Sequence, residues 1–277
     1  EVLASDPDSA GLVDAAYPVE PFVPLRLASR FSRAEVTKRA EGVLIKWERL
    51  GPSRSNVELP KGRVSANVSI KAAPDGKSII MSCKMRNETD HWIPQVLFPD
   101  LRGVKPFHGI SDTNIRFAGA TANPFMAPLR YPDAAFYVNR NFVEYAPIGY
   151  PCQLSLRWFD MGNRASGISV FHKKWGSAPR PSVITERLKE ADPGSLRLAW
   201  MFRDTIKPGE TWDSGEIWFT PHRGGWAKGI ETYRQYVYSV NPPRELPKHI
   251  RDGIGMQTLW MIQKLETDPS RAAFKWV

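Results

Sequence analysis

Between Gly42 and Asn87 apolar and polar residues alternate with period two. "GVLIKWERL" puts Val43, Ile45 and Trp47 on one face. "RVSANVSIKA" sets Val64, Ala66, Val68 and Ile70 against Ser65, Asn67, Ser69 and Lys71. "SIIMSCKMRN" repeats the pattern with Ile79, Met81, Cys83 and Met85. One apolar face at this spacing predicts half-buried antiparallel strands. Between the last two, Asp75-Gly76 in "APDGK" supplies a hairpin turn. Residues 1–34 are polar and irregular, with "YPVEPFVPL" as a Pro-broken extended segment. Residues 87–150 are rich in Pro, Gly, Asn and aromatics, which predicts mostly loop with short strands. Long loops on a β-scaffold often carry function. Strand patterns resume in "QLSLRWFDM" (Leu154, Leu156, Trp158), "SGISVFHKK", "LRLAWMFRD" (Leu196, Leu198, Trp200, Phe202) and "GEIWFTP". A Pro-Gly turn in "IKPGETW" joins the last two. No fixed-period repeat runs through the chain, which argues against a propeller or solenoid.

The period then changes. After "RGG", Trp226, Ile230, Tyr233, Val237 and Val240 recur at steps of four and three, one apolar stripe of a helix. "NPP" stops it, because proline gives no donor to the helix ladder and restricts the residue before it. "RELPKHIRD" is a linker, and "GIGMQTLWMIQ" is an apolar run of the kind found in a buried parallel strand. "DPSRAAFKWV" can open a further helix, with Asp268 as cap and Pro269 at its first position. The expected fold class is therefore mainly β: a large antiparallel β-sandwich followed by a helix, a linker and the start of something else. A lone buried strand is not stable without neighbours, so the natural chain is expected to continue beyond Val277.

Composition narrows this picture. Of 277 residues 42% are hydrophobic, with 10 Trp and 13 Phe, enough for a sizeable core. No run of about 18 apolar residues occurs, so no membrane-spanning helix is expected. The formal charge is +9, from 38 Lys and Arg against 29 Asp and Glu. These cations are scattered singly. Nucleic acid binding requires a patch or stripe, so no nucleic-acid partner is expected, while an anionic glycan is compatible with the charge. Cys83 and Cys152 form neither a disulfide framework nor a zinc site, and both fit buried small apolar residues or a single bridge. The absence of a signal-like segment in a chain that begins with Glu leaves the compartment open, a secreted or periplasmic protein included. "NVS" at Asn67 and "NET" at Asn87 match glycosylation sequons by chance. There is no phosphate loop, no Gly-x-Ser-x-Gly elbow and no His-Glu-x-x-His, and the residues imply no cofactor.

"YPCQLSLRWFDMGNRASGISVFHKK", through Tyr150, Pro151, Trp158, Gly167 and His172, resembles a segment of a large family of bacterial glycoside hydrolases. "VLFPDLRGV" matches a Phe-Pro-x-Leu-x-Gly segment through Phe98, Pro99, Leu101 and Gly103. "GGWAKGIETYRQYV" with its Pro-rich linker resembles the family's join between two domains. The resemblance covers residues 40–277 and implies a galactose-mutarotase-like β-supersandwich followed by a (β/α)8 barrel with the catalytic carboxylates. It implies a sandwich over 1–221, a connecting helix and linker over 222–252, and the start of a truncated barrel over 253–277. Two positions depart from the pattern: Cys152 stands where the family has glycine, and Lys173 where an acid follows the His. If that acid touches sugar in the family, this chain does not reproduce the contact.

Glycoside hydrolysis commonly needs two carboxylates flanking the bond, at strand ends in a barrel. If the run from Gly253 is the first barrel strand, those carboxylates lie beyond Val277, no catalytic residue is assigned here, and this chain alone is expected to be inactive. The implied partners are carbohydrate and the rest of the barrel. Among exposed-aromatic candidates for stacking on a sugar are Trp92, Trp158, Trp175 and Trp212. Trp158 shares a face with Leu154 and Leu156 and belongs to a core, whereas Trp175 lies in a loop after a strand. Asp100 and Arg102 either hydrogen-bond hydroxyls or close a turn. His172 shares the Ile168 and Val170 face, as a sugar ligand or as a satisfied core histidine. Trp260 and Gln263 end the presumptive barrel strand, where Trp260 lines a pocket or packs in a core. Two other readings stand beside the hydrolase: a non-catalytic carbohydrate-binding or structural sandwich, and a mutarotase-like or lyase-like enzyme acting in the sandwich. The last needs a base and an acid that converge, and His91, His108, His172, His222 and His249 are scattered in sequence.

Overall fold

The computed structural model describes residues 11–17, 25–53, 59, 61–104, 113–117, 125–126, 148–149, 156–174, 181–187 and 196–245. The chain divides into two compact units, Glu1–Val240 and Asn241–Val277. The elements of the first unit begin with β1 (Asp14–Tyr17), β2 (Leu25–Ala28), β3 (Glu35–Arg39), β4 (Gly42–Trp47), β5 (Gly51–Pro52) and β6 (Val64–Ala72). Then come β7 (Ile79–Asn87), β8 (Gln95–Val104), β9 (Asn114–Phe117), β10 (Phe125–Met126), β11 (Ile148–Gly149) and β12 (Trp158–Gly162). The last are β13 (Ser166–Lys173), β14 (Pro181–Arg187), β15 (Leu196–Phe202), β16 (Thr211–Asp213), β17 (Glu216–Arg223) and the helix α1 (Trp226–Val240). Sheet A has the order β11-β14-β15-β8-β1-β2-β5, and sheet B the order β10-β9-β12-β13-β17-β7-β6-β4-β3, with β16 also on β7. Among the described residues every strand pair is antiparallel, so this unit is mainly β with one helix. Of the second unit only 241–245 are described, and they form neither helix nor strand. The expected barrel strand from Gly253 lies outside the described residues.

The two sheets bury one core between them. Val13, Ala15, Leu27, Val96, Phe98, Leu198, Trp200 and Phe202 enter it from sheet A. Val64, Ala66, Val68, Met81, Cys83, Met85, Phe159, Met161, Val170, Ile217 and Phe219 enter from sheet B. The alternation read in β6 and β7 is therefore the inner face of sheet B. Ile79 departs from it: it is exposed, and its neighbour Ile80 is buried on the outer face instead. The β6–β7 hairpin turns where expected. Gly76 takes φ +69, and Asp75 Oδ1 accepts the Lys77 and Ser78 amides at 3.0 and 2.8 Å. Cys83 is a free, buried thiol, so the single-bridge alternative fails.

Residues 95–104 correct the loop expectation. They form β8, a ten-residue strand between β15 and β1. The breakers that suggested a loop sit at irregularities in its ladder. Against β15, Asp100 pairs with Ala199 but Leu97 with Met201, so β8 carries one extra residue around Pro99. A second register shift falls around Arg102 and Gly103. A bulge leaves one residue out of the ladder, which is where proline can stand inside a sheet.

Helix α1 covers part of the outer face of sheet B. Gly224, at φ +79, turns the chain into the helix, and Asn241-Pro242-Pro243 ends it. Tyr233 is buried, with Ile230, Tyr236 and Val237 packed beside it against Ile80, Trp158, Phe171 and Trp218. The expected stripe is thus used at its centre. Its ends, Trp226 and Val240, are 40% and 42% exposed, and Tyr236 joins from beside it. Phe171 lies 5.8 Å from Trp218, 5.4 Å from Tyr233 and 6.4 Å from Tyr236, ring centre to ring centre. Such pairs contribute about 0.5–1.5 kcal/mol each beyond area burial.

Candidate functional site

Register places the expected pair Asp100 and Arg102 on the outer face of sheet A. Phe98 and Val96 point into the main core, whereas Leu97, Ala199 and Met201 form a small cluster on the opposite side. Asp100 is paired with Ala199, and Asp14 with Leu97, so both carboxylates share that outer face. Neither Asp100 nor Arg102 closes a turn: both lie within β8. Arg102 Nε donates to Asp100 Oδ2 at 3.3 Å, and the Asp100 amide donates to the Leu12 carbonyl at 3.0 Å.

One strand over, a second pair has the same construction. Arg26 on β2 donates to Asp14 Oδ1 on β1 at 3.0 Å. In each pair the carboxylate is buried, and the guanidinium reaches solvent at 12% (Arg26) and 15% (Arg102) side-chain exposure. Asp14 Oδ2 is buried with no hydrogen-bond partner. Gln95, whose amide points to the Met201 sulfur, continues the row. Both carboxylates are almost wholly enclosed, as are Leu97, Ala199 and Met201 beside them, so what this face turns to solvent is the two guanidiniums, fixed donors of the kind a polyhydroxylated ligand can use. Asp14 and Arg26 went unnoticed in the sequence because their partners are long-range. Only the inward alternation of Val13 and Ala15 hinted that Asp14 faces the other way.

His172 lies elsewhere, wholly buried between the sheets. Its Nε2–H donates to the Ser214 carbonyl at 2.6 Å, and Trp200 and Phe202 of sheet A flank the ring at 6.3 and 5.3 Å. A single residue inserted around Ser214 and Gly215, where β16 passes into β17, aims that carbonyl inward. Asp213 pairs with Lys84 but Ile217 with Met81, and Gly215 takes φ +71. Nδ1 has no partner. Burial, opposed by the Ser214 bond, lowers the His172 pKa to about 3, so the ring is neutral. It occupies the place of a core histidine rather than one that a sugar can reach.

The remaining imidazole–carboxylate pair is on the outer face of sheet B. His222 Nε2–H donates to Asp160 Oδ2 at 2.6 Å, and Nδ1–H to the Gly224 carbonyl at 3.1 Å. Both ring nitrogens face acceptors, so the geometry demands the imidazolium. Burial, the largest influence, pulls the His222 pKa down. The hydrogen bond and charge of Asp160, with the Gly224 and Arg223 backbone, outweigh it and hold the pKa above its ordinary value. With both nitrogens occupied, this ring has no lone pair for acid–base work.

The aromatic candidates separate cleanly. Trp92 is exposed, with Lys207 Nζ 5.8 Å from its ring centre. Trp158 and Trp212 are buried, bonded to Ser169 Oγ and Asp204 Oδ2 at 2.6 and 2.7 Å, so Trp212 is no stacking surface. Trp175, Trp260 and Gln263 lie outside the described residues. Asn87 of the "NET" sequon is fully buried; its Nδ2 donates to the His91 and Ile206 carbonyls, and its Oδ1 accepts from Thr89. Among the described residues no His, Cys, Asp and Glu group can hold a metal ion, and no helix is long and apolar enough to cross a membrane.

No family model matches this chain, and no curated protein does. Solved structures with a similar fold include a galactose mutarotase-like protein from Lactobacillus casei, at 8% identity and TM-score 0.45, covering 78% of this chain and 83% of that one. The GH36 α-galactosidase AgaA from Geobacillus stearothermophilus matches at 11% identity and TM-score 0.41, over 81% of this chain and 29% of its own. The α-galactosidase from Lactobacillus brevis matches at 9% identity and TM-score 0.42, over 86% of this chain and 28% of its own. The chain spans under a third of the length of these two galactosidases. Likeness at this level decides nothing about activity.

Proposed function

We propose that this chain is the N-terminal β-sandwich part of a glycoside hydrolase, and that it holds a neutral oligosaccharide on the outer face of sheet A. In this reading 222–252 joins the sandwich to a barrel that starts at 253–277, and the reacting carboxylates are supplied elsewhere in the enzyme. The observation that carries it is the repeated pair on one sheet face, Asp14 with Arg26 and Asp100 with Arg102. Each carboxylate neutralises its guanidinium, which suits hydroxyls better than an anionic glycan. Buried carboxylates fix the guanidiniums before any ligand arrives, so little side-chain freedom is lost on binding. Catalysis within the sandwich has less support, because His172 is enclosed and His222 has no free nitrogen.

The test is titration calorimetry of the chain against a panel of neutral and acidic oligosaccharides. A neutral glycan should bind, and Arg102→Ala should weaken it about ten- to a hundredfold, the loss of one charge-assisted hydrogen bond. The face is not the site if Arg102→Ala binds as well as the parent, and the whole reading fails if no glycan binds.

A further inference from the structure

We propose that Asp160 and His222 form a proton-operated latch that fixes the root of helix α1, the last element of the first unit, to sheet B. The pair sits in a socket built from glycines. Gly167 lies opposite His222 in the ladder, and the His222 ring crosses it diagonally to reach Asp160, whose own partner is Ser169. A Cβ on Gly167 would stand 2.9 Å from His222 Nε2. The helix closes the socket with Gly229, where a Cβ would stand 2.5 Å from Asp160 Oδ2 and 2.6 Å from His222 Nε2. Two chain segments, β13 and α1, therefore give up side chains so that an ion pair can lie between helix and sheet.

The latch closes when His222 carries two N–H groups, one for Asp160 and one for Gly224. Loss of one proton leaves a neutral ring with a single donor. Asp160, a buried anion, keeps that donor, and the Nδ1 lone pair then faces the Gly224 carbonyl oxygen. Two acceptors 3.1 Å apart repel. The strain falls on Gly224 and Gly225, the turn into α1. The rest of the helix stays held by Tyr233 and its aromatic neighbours.

Other charges around the ring do not replace this control. From β12 only Asp160 faces it, and β13 presents Gly167. The turn between β12 and β13 brings Arg164, exposed, whose Cα lies near Gly225. From β17 Arg223 is exposed, and from α1 Lys228 passes over Gly224 into solvent. The bound state holds its proton more tightly than the open one. Attachment is therefore complete below the ordinary histidine pKa and is lost as pH rises through the raised one. Between the two the open fraction grows by up to about tenfold per pH unit.

Hydrogen exchange on the full chain, corrected for intrinsic rates, reads the latch directly. Amides in the first turns of α1 should progressively lose protection as pH is raised from about 6 into the alkaline range, while the β6–β7 hairpin does not. His222→Gln keeps a donor toward Asp160 but does not titrate, so its helix should show no such change. Equal loss of protection in the variant, or none in the parent, overturns the proposal. If the variant does not fold, nitrogen chemical shifts of the His222 ring in the parent decide instead: a neutral tautomer at about pH 6 overturns it, and a doubly protonated ring sustains it.

Discussion

The outer face of sheet B is dressed in two ways. Over β12, β13 and β17 its outward residues are Trp158, Phe171 and Trp218, with Asp160 and His222 beside them, and α1 covers them. Over β6, β4, β3 and the part of β7 beyond Ile80 the outward residues are mostly short or charged: Ser82 and Lys84, Asn67 and Ser69, Lys46, and Glu35 and Thr37, with Leu44 the apolar exception. Nothing described covers that half, and they are half-buried or exposed. The inner faces of β6 and β7 are as apolar as those of β12 and β17, while the edge strand β3 is exposed throughout. Whether a sheet gains a helix is thus decided on the side away from the core. The charge pairs differ accordingly. Asp160–His222 is enclosed, whereas Arg63 bonds Glu88 at 2.7 Å and Arg86 bonds it at 3.1 Å with all three side chains a third or more exposed.

The largest effect should come from breaking the enclosed pair. Asp160→Ala leaves the His222 imidazolium buried without its anion. That should cost about 3–5 kcal/mol, a large part of the stability of an ordinary domain. Urea unfolding measures it. A cost near zero would show that the helix-covered half is as forgiving as the bare half, and the contrast between them would fail.

pH separates the outer face from the inner one along β13 and β17. His222 is held protonated under the helix, while His172, between the sheets, is held neutral by burial with a pKa of about 3. The folded chain binds the His172 proton less readily than the unfolded chain does. Its contribution is therefore complete above the ordinary histidine pKa and declines as pH falls toward the folded value. At about pH 5 the loss should be about 2 kcal/mol. His172→Gln keeps a donor for the Ser214 carbonyl and removes this titration. Its stability should fall less steeply between pH 7 and pH 5 than the parent's, on the same urea assay. Parallel slopes would mean that His172 does not titrate as its burial demands.

These differences also explain what was legible in the sequence. The bare half reads clearly, because Val64, Ala66, Val68 and Ile70 alternate with polar residues that face water. The covered half reads as unbroken apolar runs, since Trp158, Phe159, Phe171 and Trp218 serve two opposite cores. Strand β8 was hidden by Pro99 and Gly103, which mark bulges inside a sheet as readily as loops outside one. Asp100 and Arg102 were legible as a polar pair within "FPDLRG", but their placement beside Asp14 and Arg26 depends on register across strands distant in sequence. The Asp160–His222 pair, 62 residues apart, has no local signal except the glycines at 167 and 229.

The smallest effect should appear on the bare half, and its smallness is what makes it informative. Glu88 is bonded by Arg63 and Arg86, and these bonds hold its carboxyl below the usual carboxylate range. On distance alone this cluster looks as strong as Asp160–His222. Water screens it, however, and long side chains lose rotamer freedom to hold it, so exposed pairs contribute little. Glu88→Gln removes the charge and keeps the shape. Its melting temperature should match the parent's within error at physiological salt, and differ only as the salt is lowered. A salt-independent loss comparable to that of Asp160→Ala would mean that the bare half is also shielded from water. Its short polar residues would then have to lie beneath a covering that the described residues do not supply.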